Sequence, residues 1–173
     1  PVPCAPYPLS SPLTPMPRPR IQPNAITGLK CGRNVTLVEP ANLYGCTLGD
    51  EVFVGPFVEI QRGVVVGART RIQSHSFVCE LVSIGDDCFI GHGVMFINDT
   101  FAKGRPARGN RQLWKSTSIG NRVSIGSNAT LLPVRVCDDV VIGAGAVVTK
   151  DITRPGIYAG NPARRLRRAA RPA

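Results

Sequence analysis

The stretch that decides the fold is SIGDDCFIGHGVMFIND, residues 83–99. An aliphatic residue followed by glycine occurs at Ile84–Gly85 and again six residues later at Ile90–Gly91. The spacing ends at Phe96, and a histidine, His92, stands just before this break. A period of six fits neither the helical repeat of about 3.6 residues nor the two-residue alternation of a long strand. It predicts short strands joined by tight corners.

The six-residue period extends over most of the chain. Counting Cys31 as the first, eighteen hexads carry an apolar anchor, and the others are Leu37, Leu43, Leu48, Val54, Ile60, Val66, Ile72, Val78, Ile84, Ile90, Phe96, Ile119, Ile125, Leu131, Val136, Ile142 and Val148. Glycine follows nine of these anchors and adopts the backbone dihedrals that a corner requires. Three hexads would close one triangular coil, and successive coils would stack as parallel strands about 4.8 Å apart. The sequence therefore predicts an all-β fold, a parallel β-helix of roughly six triangular coils around an aliphatic core.

Composition divides the chain into three parts. Residues 1–23 hold nine of the sixteen prolines and are predicted to be a disordered leader. Residues 24–153 are predicted to form the β-helix with one loop at 99–117, and residues 154–173 an exit segment with a basic tail. Of the net charge of +10, seven arginines of residues 1–23 and 163–173 account for all but +3. A basic face on the folded part is therefore not indicated, and we expect no nucleic-acid partner.

The chain carries no sign of a membrane or secretory segment. It has no apolar run of 18 residues and no charged segment followed by an apolar one near its start. The six cysteines form no C-x-x-C pair, and five of them occupy small or aliphatic positions of the repeat. We expect buried reduced thiols, no bound metal and a cytoplasmic location without membrane contact.

The repeat is interrupted by a basic segment. Phe96 and Ile119 are 23 residues apart where six are expected, which predicts an excursion of about seventeen residues. The segment carries one acid, Asp99, the only tryptophan, Trp114, and five basic residues, Lys103, Arg105, Arg108, Arg111 and Lys115. A long loop with these features is more typical of a binding wall than of a plain connection, although a solvated surface loop remains the alternative.

The repeat resembles the left-handed parallel β-helix of the hexapeptide-repeat acyltransferases over about residues 26–166. The runs VVIGAGAVVTKDI (140–152) and YAGNPARRLR (158–167) resemble the last coil and exit segment of that family. The segments FVGPFVEIQRG, RIQSHSFVCE and IGHGVMFINDTF look like the branch that N-acetylates amino groups on nucleotide-linked sugars. The resemblance implies left-handed coils, a homotrimer with active sites between prisms, acetyl-coenzyme A as donor, and a UDP- or dTDP-linked 3-amino or 4-amino deoxysugar as acceptor.

Acetyl transfer to an amine requires a neutral amine, and histidine is the usual base near neutral pH. The only two histidines, His75 and His92, are 17 residues apart, close to one coil of three hexads. We therefore predict that both lie on one edge of the prism beside the loop and act as catalytic residues. Relatives with Asn in the place of His75 leave a second route open, in which the departing thiolate takes up the proton of the amine.

The resemblance also implies binding residues. Substrate contacts are expected from Asn98, Asp99, Arg105, Arg108 and Trp114, although Asn98 and Asp99 also suit a loop that begins with an Asx-turn. Donor contacts are expected from the backbone of Gly126, Ser127, Gly143 and Ala144, from Lys150 and Arg164 at the phosphates, and from Asn161 and Pro162 near the adenine.

Three other functions are considered. A γ-type carbonic anhydrase would need three histidines on zinc, and the chain has two. A β-helix scaffold without catalysis would have no reason to carry the basic loop. O-acetylation of a sugar or an antibiotic would use a similar donor cleft and differs only in the acceptor.

Overall fold

The computed structural model describes residues 26–166, so the predicted leader and the basic tail lie largely outside the described residues. These residues form short strands and one 3₁₀ turn at Arg111–Leu113. The strands of the first four coils are β1 Ile26–Thr27, β2 Lys30–Cys31, β3 Thr36–Leu37, β4 Asn42–Tyr44, β5 Thr47–Leu48, β6 Phe53–Val54, β7 Glu59–Ile60, β8 Val65–Val66, β9 Arg71–Ile72, β10 Phe77–Val78, β11 Val82–Ile84 and β12 Phe89–Ile90. Those of the remaining coils are β13 Met95–Phe96, β14 Thr117–Ile119, β15 Ser124–Ile125, β16 Thr130–Leu131, β17 Arg135–Val136, β18 Val140–Ile142, β19 Val147–Val148, β20 Gly156–Ala159 and β21 Arg164–Arg165.

Every third strand belongs to the same parallel sheet. Sheet 1 runs β1, β4, β7, β10, β13, β16, β19; sheet 2 runs β2, β5, β8, β11, β14, β17; and sheet 3 runs β3, β6, β9, β12, β15, β18, β20. Only β21 is antiparallel, and it pairs with β20 at the end of sheet 3. The predicted left-handed parallel β-helix is confirmed. It has seven coils rather than six, because β1 and the last coil lie outside the eighteen hexads counted from Cys31.

The core is a ladder of anchors stacked on their equivalents. Ile90 pairs in register with Ile72 below and Ile125 above, and all three side chains are fully buried. Its neighbour Phe89 points outward and is 42% exposed. This alternation follows from the pleat of the strand, and each buried aliphatic side chain contributes roughly 1.5–3 kcal/mol. Among residues 26–166 no helix is long and apolar enough to cross a membrane.

The three corners of the prism are named after the sheets that they connect. Corner 1–2 includes residues 79–81 and the segment 97–116. Corner 2–3 comprises residues 32–35, 49–52, 67–70, 85–88, 120–123 and 137–139. Corner 3–1 comprises residues 38–41, 55–58, 73–76, 91–94, 126–129 and 143–146, which end coils one to six. Residues 160–163 end coil seven, where they join β20 to β21 within sheet 3 and form backbone hydrogen bonds with Val147 of sheet 1.

Corner 2–3 is closed by alternating charges. Going up the coils, the equivalent residues are Glu51, Arg69, Asp87, Arg122 and Asp139, each with positive φ. Arg69 donates to both carboxylate oxygens of Asp87 at 2.6 and 2.7 Å, and Arg122 to those of Asp139 at 2.7 and 2.9 Å. These hydrogen bonds lower the pKa of Asp87 and of Asp139. The corner therefore satisfies its own charges along the prism axis.

Candidate functional site

Corner 3–1 carries both histidines. His75 ends coil three and His92 ends coil four, and both side chains are exposed. The imidazole of His92 is hydrogen-bonded through Nδ1 to the hydroxyl of Ser74, 2.8 Å away. The ring of His75 stacks on that of Phe57, with centroids 4.9 Å apart and planes 5° from parallel. The predicted shared edge of the two histidines is therefore confirmed, and each ring is held by a residue of the preceding coil.

The contact with Ser74 bears on the chemistry of His92. A serine hydroxyl both donates and accepts, so it can pair with either tautomer of a neutral imidazole. When the hydroxyl accepts from Nδ1–H, the other ring nitrogen, Nε2, carries the free lone pair. In that tautomer Nε2 is able to take a proton from an approaching nucleophile.

Corners 2–3 and 3–1 differ in the hydrogen bonding of the backbone N–H group at the second residue of each turn. On corner 2–3 the second residue of each of four turns donates to a side-chain oxygen of the next coil at 2.8–2.9 Å, and these residues are Arg33, Ala68, Asp86 and Asn121. On corner 3–1 the equivalent residues are Ser74, His92, Ser127 and Ala144. Their N–H groups make no hydrogen bond within residues 26–166. This row can therefore donate to a carbonyl or an oxyanion of a ligand.

Glycines bring neighbouring coils of corner 3–1 close together. A Cβ on Gly91 would lie 2.8 Å from the nitrogen of Ser127, and one on Gly126 would lie 2.8 Å from the Cα of Ala144. Both distances are shorter than van der Waals contact, so neither position accommodates a side chain without moving the next coil. The close approach of these coils depends on glycine at both sites.

Most of the predicted donor residues share this corner. Gly126 and Ser127 end coil five, Gly143 and Ala144 end coil six, and Asn161 with Pro162 ends coil seven. They follow His92 in order along the prism. The other two, Lys150 and Arg164, instead line a recess of about 240 Å³ at the last coil, together with Asp151. Lys150 follows β19 of sheet 1 and therefore lies on the side of corner 1–2. The donor residues therefore form a row on corner 3–1 and a separate recess at the C-terminal end of the prism.

The predicted substrate loop does not lie beside the histidines of the same chain, which corrects that expectation. The loop follows Phe96, the last residue of a sheet 1 strand, and therefore lies on corner 1–2. Sheet 1 separates this corner from corner 3–1. Its contacts stay there: Asn98 donates to the carbonyl of Glu80 at 3.2 Å, and Arg111 forms an ion pair with the carboxylate of Glu80. Strand β13 therefore lies between the histidines and the loop.

Asp99 shapes the beginning of the loop. Its Oδ1 accepts a hydrogen bond from the N–H of Phe101 at 2.9 Å, the geometry of an Asx-turn. Its Oδ2 accepts from the N–H of Ala107 at 2.7 Å, and Ala107 is buried. Both carboxylate oxygens are therefore engaged by the loop itself, as in the loop-initiating alternative, and a substrate contact of Asp99 stays a prediction.

The remaining loop candidates are separated from one another. Arg105 and Arg108 are exposed, whereas Trp114 is half-buried. Trp114 lines a recess of about 400 Å³ with Pro133 and Arg135 on corner 1–2. Trp114 therefore forms an aromatic wall beside the guanidinium group of Arg135, on a different corner from the open N–H row.

Two residues of the site escaped the sequence analysis. Ser74 precedes its partner His92 by 18 residues, and Phe57 precedes His75 by the same number. That number is the length of a coil of three hexads, so subtracting it from each histidine identifies both partners. The sequence analysis applied the spacing only to the two histidines.

The thiols are less uniformly buried than expected. Cys46, Cys79 and Cys88 are buried, and burial raises the pKa of each thiol, to about 12 for Cys79. Cys31 is exposed and Cys137 is half-buried. The expectation of burial is therefore wrong for Cys31, since the first coil has no coil beneath it. No cluster of three possible metal ligands occurs within residues 26–166.

Comparisons with known proteins agree with the coil architecture. The family model described as the hexapeptide repeat of succinyl-transferase matches residues 81–95 and 116–150, and the one described as bacterial transferase hexapeptide (six repeats) matches residues 45–80. The gap in the first match coincides with the loop on corner 1–2. The matches therefore follow the coils and omit the insertion.

Two proteins are similar to this chain in sequence and a third is similar in structure. The bifunctional protein GlmU of Sphingopyxis alaskensis is 28% identical over 152 residues, which are 76% of this chain and 31% of GlmU. Serine acetyltransferase of Mycobacterium tuberculosis is 33% identical over 108 residues, 61% of this chain and 43% of that protein. The chain thus spans less than half the length of these curated relatives.

The solved structure of a mutant of AntD, an N-acyltransferase from Bacillus cereus in complex with dTDP and coenzyme A, has the same fold. Its TM-score is 0.69 at 20% identity, over 82% of this chain and 84% of AntD. At this identity the likeness concerns the fold alone. The family-model matches and the seven hexapeptide coils together identify the chain as a member of the hexapeptide-repeat transferases.

Proposed function

We propose that this chain is an acyltransferase that moves the acetyl group of acetyl-coenzyme A to the amino group of a nucleotide-linked amino sugar. The observation that carries the proposal is the open N–H row of corner 3–1, which passes beside His92. On corner 2–3 four of the matched N–H groups are bound by side chains of the next coil, whereas within residues 26–166 the row on corner 3–1 is open and lies next to a base. A thioester with an extended amide-containing arm needs such a column.

The reaction assigns a role to each group. The amine nitrogen attacks the thioester carbonyl carbon, and the negative charge on the oxygen is stabilised by backbone N–H groups of the row, those of Ser127 and Ala144. The C–N bond forms and the C–S bond breaks, releasing the coenzyme A thiolate. The proton of the amine passes to Nε2 of His92 and then to the thiolate. Direct uptake by the thiolate is the route without a protein base.

The comparisons support the ligand classes to different degrees. AntD, described as an N-acyltransferase with dTDP and coenzyme A, supports both a coenzyme A donor and a nucleotide-linked acceptor. The serine acetyltransferase match supports acetyl transfer with another acceptor. Lys150 and Arg164, in the recess at the last coil, would then meet the phosphates of coenzyme A.

A homotrimer is part of the proposal. The loop candidates Arg105, Arg108 and Trp114 lie on corner 1–2, whereas the histidines lie on corner 3–1. A site that contains both sets requires the loop of one chain to meet corner 3–1 of another. Clefts between three prisms provide this arrangement, and light scattering on the full chain measures the assembly.

The test is a thiol-release assay with acetyl-coenzyme A and a panel of UDP- and dTDP-linked 3-amino and 4-amino sugars. The expected result is amine-dependent release of coenzyme A and a product heavier by one acetyl group in mass spectrometry. The matched controls are the same nucleotide sugars with a hydroxyl in place of the amine. Acetylation of the hydroxyl controls alone would replace the amine acceptor by a hydroxyl, and no turnover with any nucleotide sugar would refute the proposal.

A further inference from the structure

An aromatic side chain stands exposed on corner 3–1, two coils before His92. Phe57 is 58% exposed and has a φ of 59°. The equivalent residues of coils three to six are His75, Gly93, Asn128 and Gly145, all with φ between 58° and 67°. The corner therefore accepts side chains of different kinds at this position, and its backbone does not require a phenylalanine. A large apolar ring in contact with solvent at this position points to a role outside the packing of the corner.

The Phe57 ring contacts one neighbouring ring and lines a cavity. His75 of the next coil stacks on it. Phe57 also lines a recess of about 170 Å³, here called the Phe57 recess, whose other lining residues are Pro40, Ala41, Asn42, Val58 and Glu59. A flat ring entering it would stack on Phe57.

Two polar side chains stand side by side in the recess. Asn42 and Glu59 pair in register on neighbouring strands of sheet 1. Oε1 of Glu59 accepts from the hydroxyl of Tyr44 at 3.1 Å and from the amide of Gln61 at 3.0 Å. Within residues 26–166 its Oε2 and the amide of Asn42 make no hydrogen bond. The carboxylate is therefore held at one oxygen and able to accept at the other.

Tyr44 remains a donor to Glu59 at any physiological pH. Burial first and the hydrogen bond to Glu59 second raise its pKa to about 12. The phenol therefore stays protonated and keeps Glu59 oriented. Oriented acceptors of this kind are typical of sites that select a ligand by its hydrogen-bond pattern.

We propose that the Phe57 recess binds the nucleobase of the acceptor, an inference that rests on the proposed function. The base stacks on Phe57, its ring N–H donates to Oε2 of Glu59, and the amide of Asn42 pairs with an adjacent carbonyl. A carboxylate only accepts hydrogen bonds, so the recess selects uracil, thymine or guanine, which present a ring N–H, over adenine, which does not. Stacking on an aromatic side chain tolerates any of these bases.

The position along the prism fits an extended nucleotide sugar. The recess lies between coils one and two, and His92 ends coil four, so the two are separated by two to three coil spacings, on the order of 10–15 Å. Ribose and diphosphate bridge such a distance and pass His75 and Ser74 on coil three. The acceptor then occupies corner 3–1 from coil one to coil four, and the donor occupies it from coil five onward. The amine and the thioester meet at His92.

The experiment measures binding of UDP, dTDP, GDP and ADP to the full chain by calorimetry, together with the KM of the nucleotide-linked acceptor. The variants are Phe57→Ala, the conservative Phe57→Tyr and Glu59→Gln, and Phe89→Ala is the matched control, another exposed phenylalanine on a different face. Phe57→Ala is expected to weaken UDP and dTDP binding roughly 5- to 100-fold, with kcat at saturating acceptor and the KM for acetyl-coenzyme A unchanged. Phe57→Tyr and Phe89→Ala should bind as the wild type does. Glu59→Gln should reduce the preference for UDP over ADP.

Any different result would refute a specific part of the proposal. Unchanged UDP and dTDP binding in Phe57→Ala, with nucleotide sugars still turned over by the wild type, would refute the recess and leave the proposed function standing. A change in the assembly mass of Phe57→Ala by light scattering would make Phe57 a contact between copies of the chain and would also refute the recess. Equal binding of ADP by the wild type would refute selection by Glu59. If the wild type binds none of the nucleotides and uses no nucleotide sugar, both proposals fail.

Discussion

Replacing His92 by alanine tests whether the protein supplies the base. The substitution should leave the fold intact, since the side chain is exposed and its hydrogen bond is to Ser74 on the surface. The nearby coil-to-coil bonds, from Gly93 N–H to the Ser74 carbonyl at 3.0 Å and from Asn128 N–H to the His92 carbonyl at 2.8 Å, involve only backbone atoms. The free energy of unfolding should therefore change by less than about 0.5 kcal/mol.

Activity should fall far more than stability. A positioned general base contributes about 10²- to 10⁴-fold, so kcat/KM for the amine should fall by that factor. This loss corresponds to about 2.7–5.4 kcal/mol of activation free energy. The assay is release of coenzyme A thiol at one fixed pH near neutrality, with the amine acceptor varied at saturating acetyl-coenzyme A. The KM for acetyl-coenzyme A should not change in His92→Ala.

Ser74→Ala is the matched control for the orientation of the ring. It removes the hydroxyl at 2.8 Å and leaves the imidazole, whose exposed Nδ1 can bond to water. The loss in kcat/KM should be smaller than that of His92→Ala. If His92→Ala keeps kcat/KM within about twofold of the wild type, His92 is not the base. The route in which the thiolate takes up the proton would then stand.

Three further predictions concern the prism. Ile90→Ala should lower the free energy of unfolding by about 2–5 kcal/mol in urea titrations, and the neighbouring Phe89→Ala by less than about 1 kcal/mol, since only Ile90 is buried. The pKa of Asp87 is lowered by its arginine partner. Its stabilisation is therefore present above the unfolded-state pKa and lost as pH falls through the folded-state value, so Asp87→Asn should flatten the acid branch of melting temperature against pH. Ser127→Asp should raise the KM for acetyl-coenzyme A, because the new carboxylate would accept from the N–H of His92 as aspartates do on corner 2–3.

Distinct results would contradict each of these predictions. A larger loss for Phe89→Ala than for Ile90→Ala would contradict the assigned direction of the side chains in β12. An unchanged acid branch in Asp87→Asn would mean that the ion pair is too well screened by solvent to contribute. An unchanged KM for Ser127→Asp, in a variant that melts as the wild type does, would show that the donor does not use the N–H row. The control for this last variant is Ser127→Ala, which adds no acceptor.

The fold was predictable because each hexad repeats the same physical requirement. Ile84 and Ile90 must face inward and the glycines after them must leave room for the next coil, so a spacing of six determines strands, corners and core together. The loop was predictable for the same reason, since a segment of the length between Phe96 and Ile119 has no place in a coil. Only the number of coils was underestimated, because the first and last coils carry weaker anchors.

The arrangement of the site was less predictable. His92 follows the anchor Ile90, and the loop follows the next anchor, Phe96. One hexad forms one side of the triangle. His92 and the loop therefore lie on neighbouring corners. Adjacency in the sequence concealed this separation. The stacking of His75 on Phe57 and the bond of His92 to Ser74 depend on side-chain conformations, which a repeat pattern does not specify.

Corners 2–3 and 3–1 of this prism have similar four-residue turns and differ in the function of their side chains. On corner 2–3 Asp86 and Asp138 accept from N–H groups of the preceding coil, and the adjacent Asp87 and Asp139 pair with arginines of that coil. Both kinds of contact add a stabilising term to the coil interface. On corner 3–1 serine, histidine and alanine leave the equivalent N–H groups to solvent, so the stability of each interface depends more on the buried ladder. A ligand that binds along corner 3–1 would supply the missing acceptors and join consecutive coils. We therefore infer that the closed corner is what allows the open one, since a prism with three open corners would lose the stabilising term at every interface.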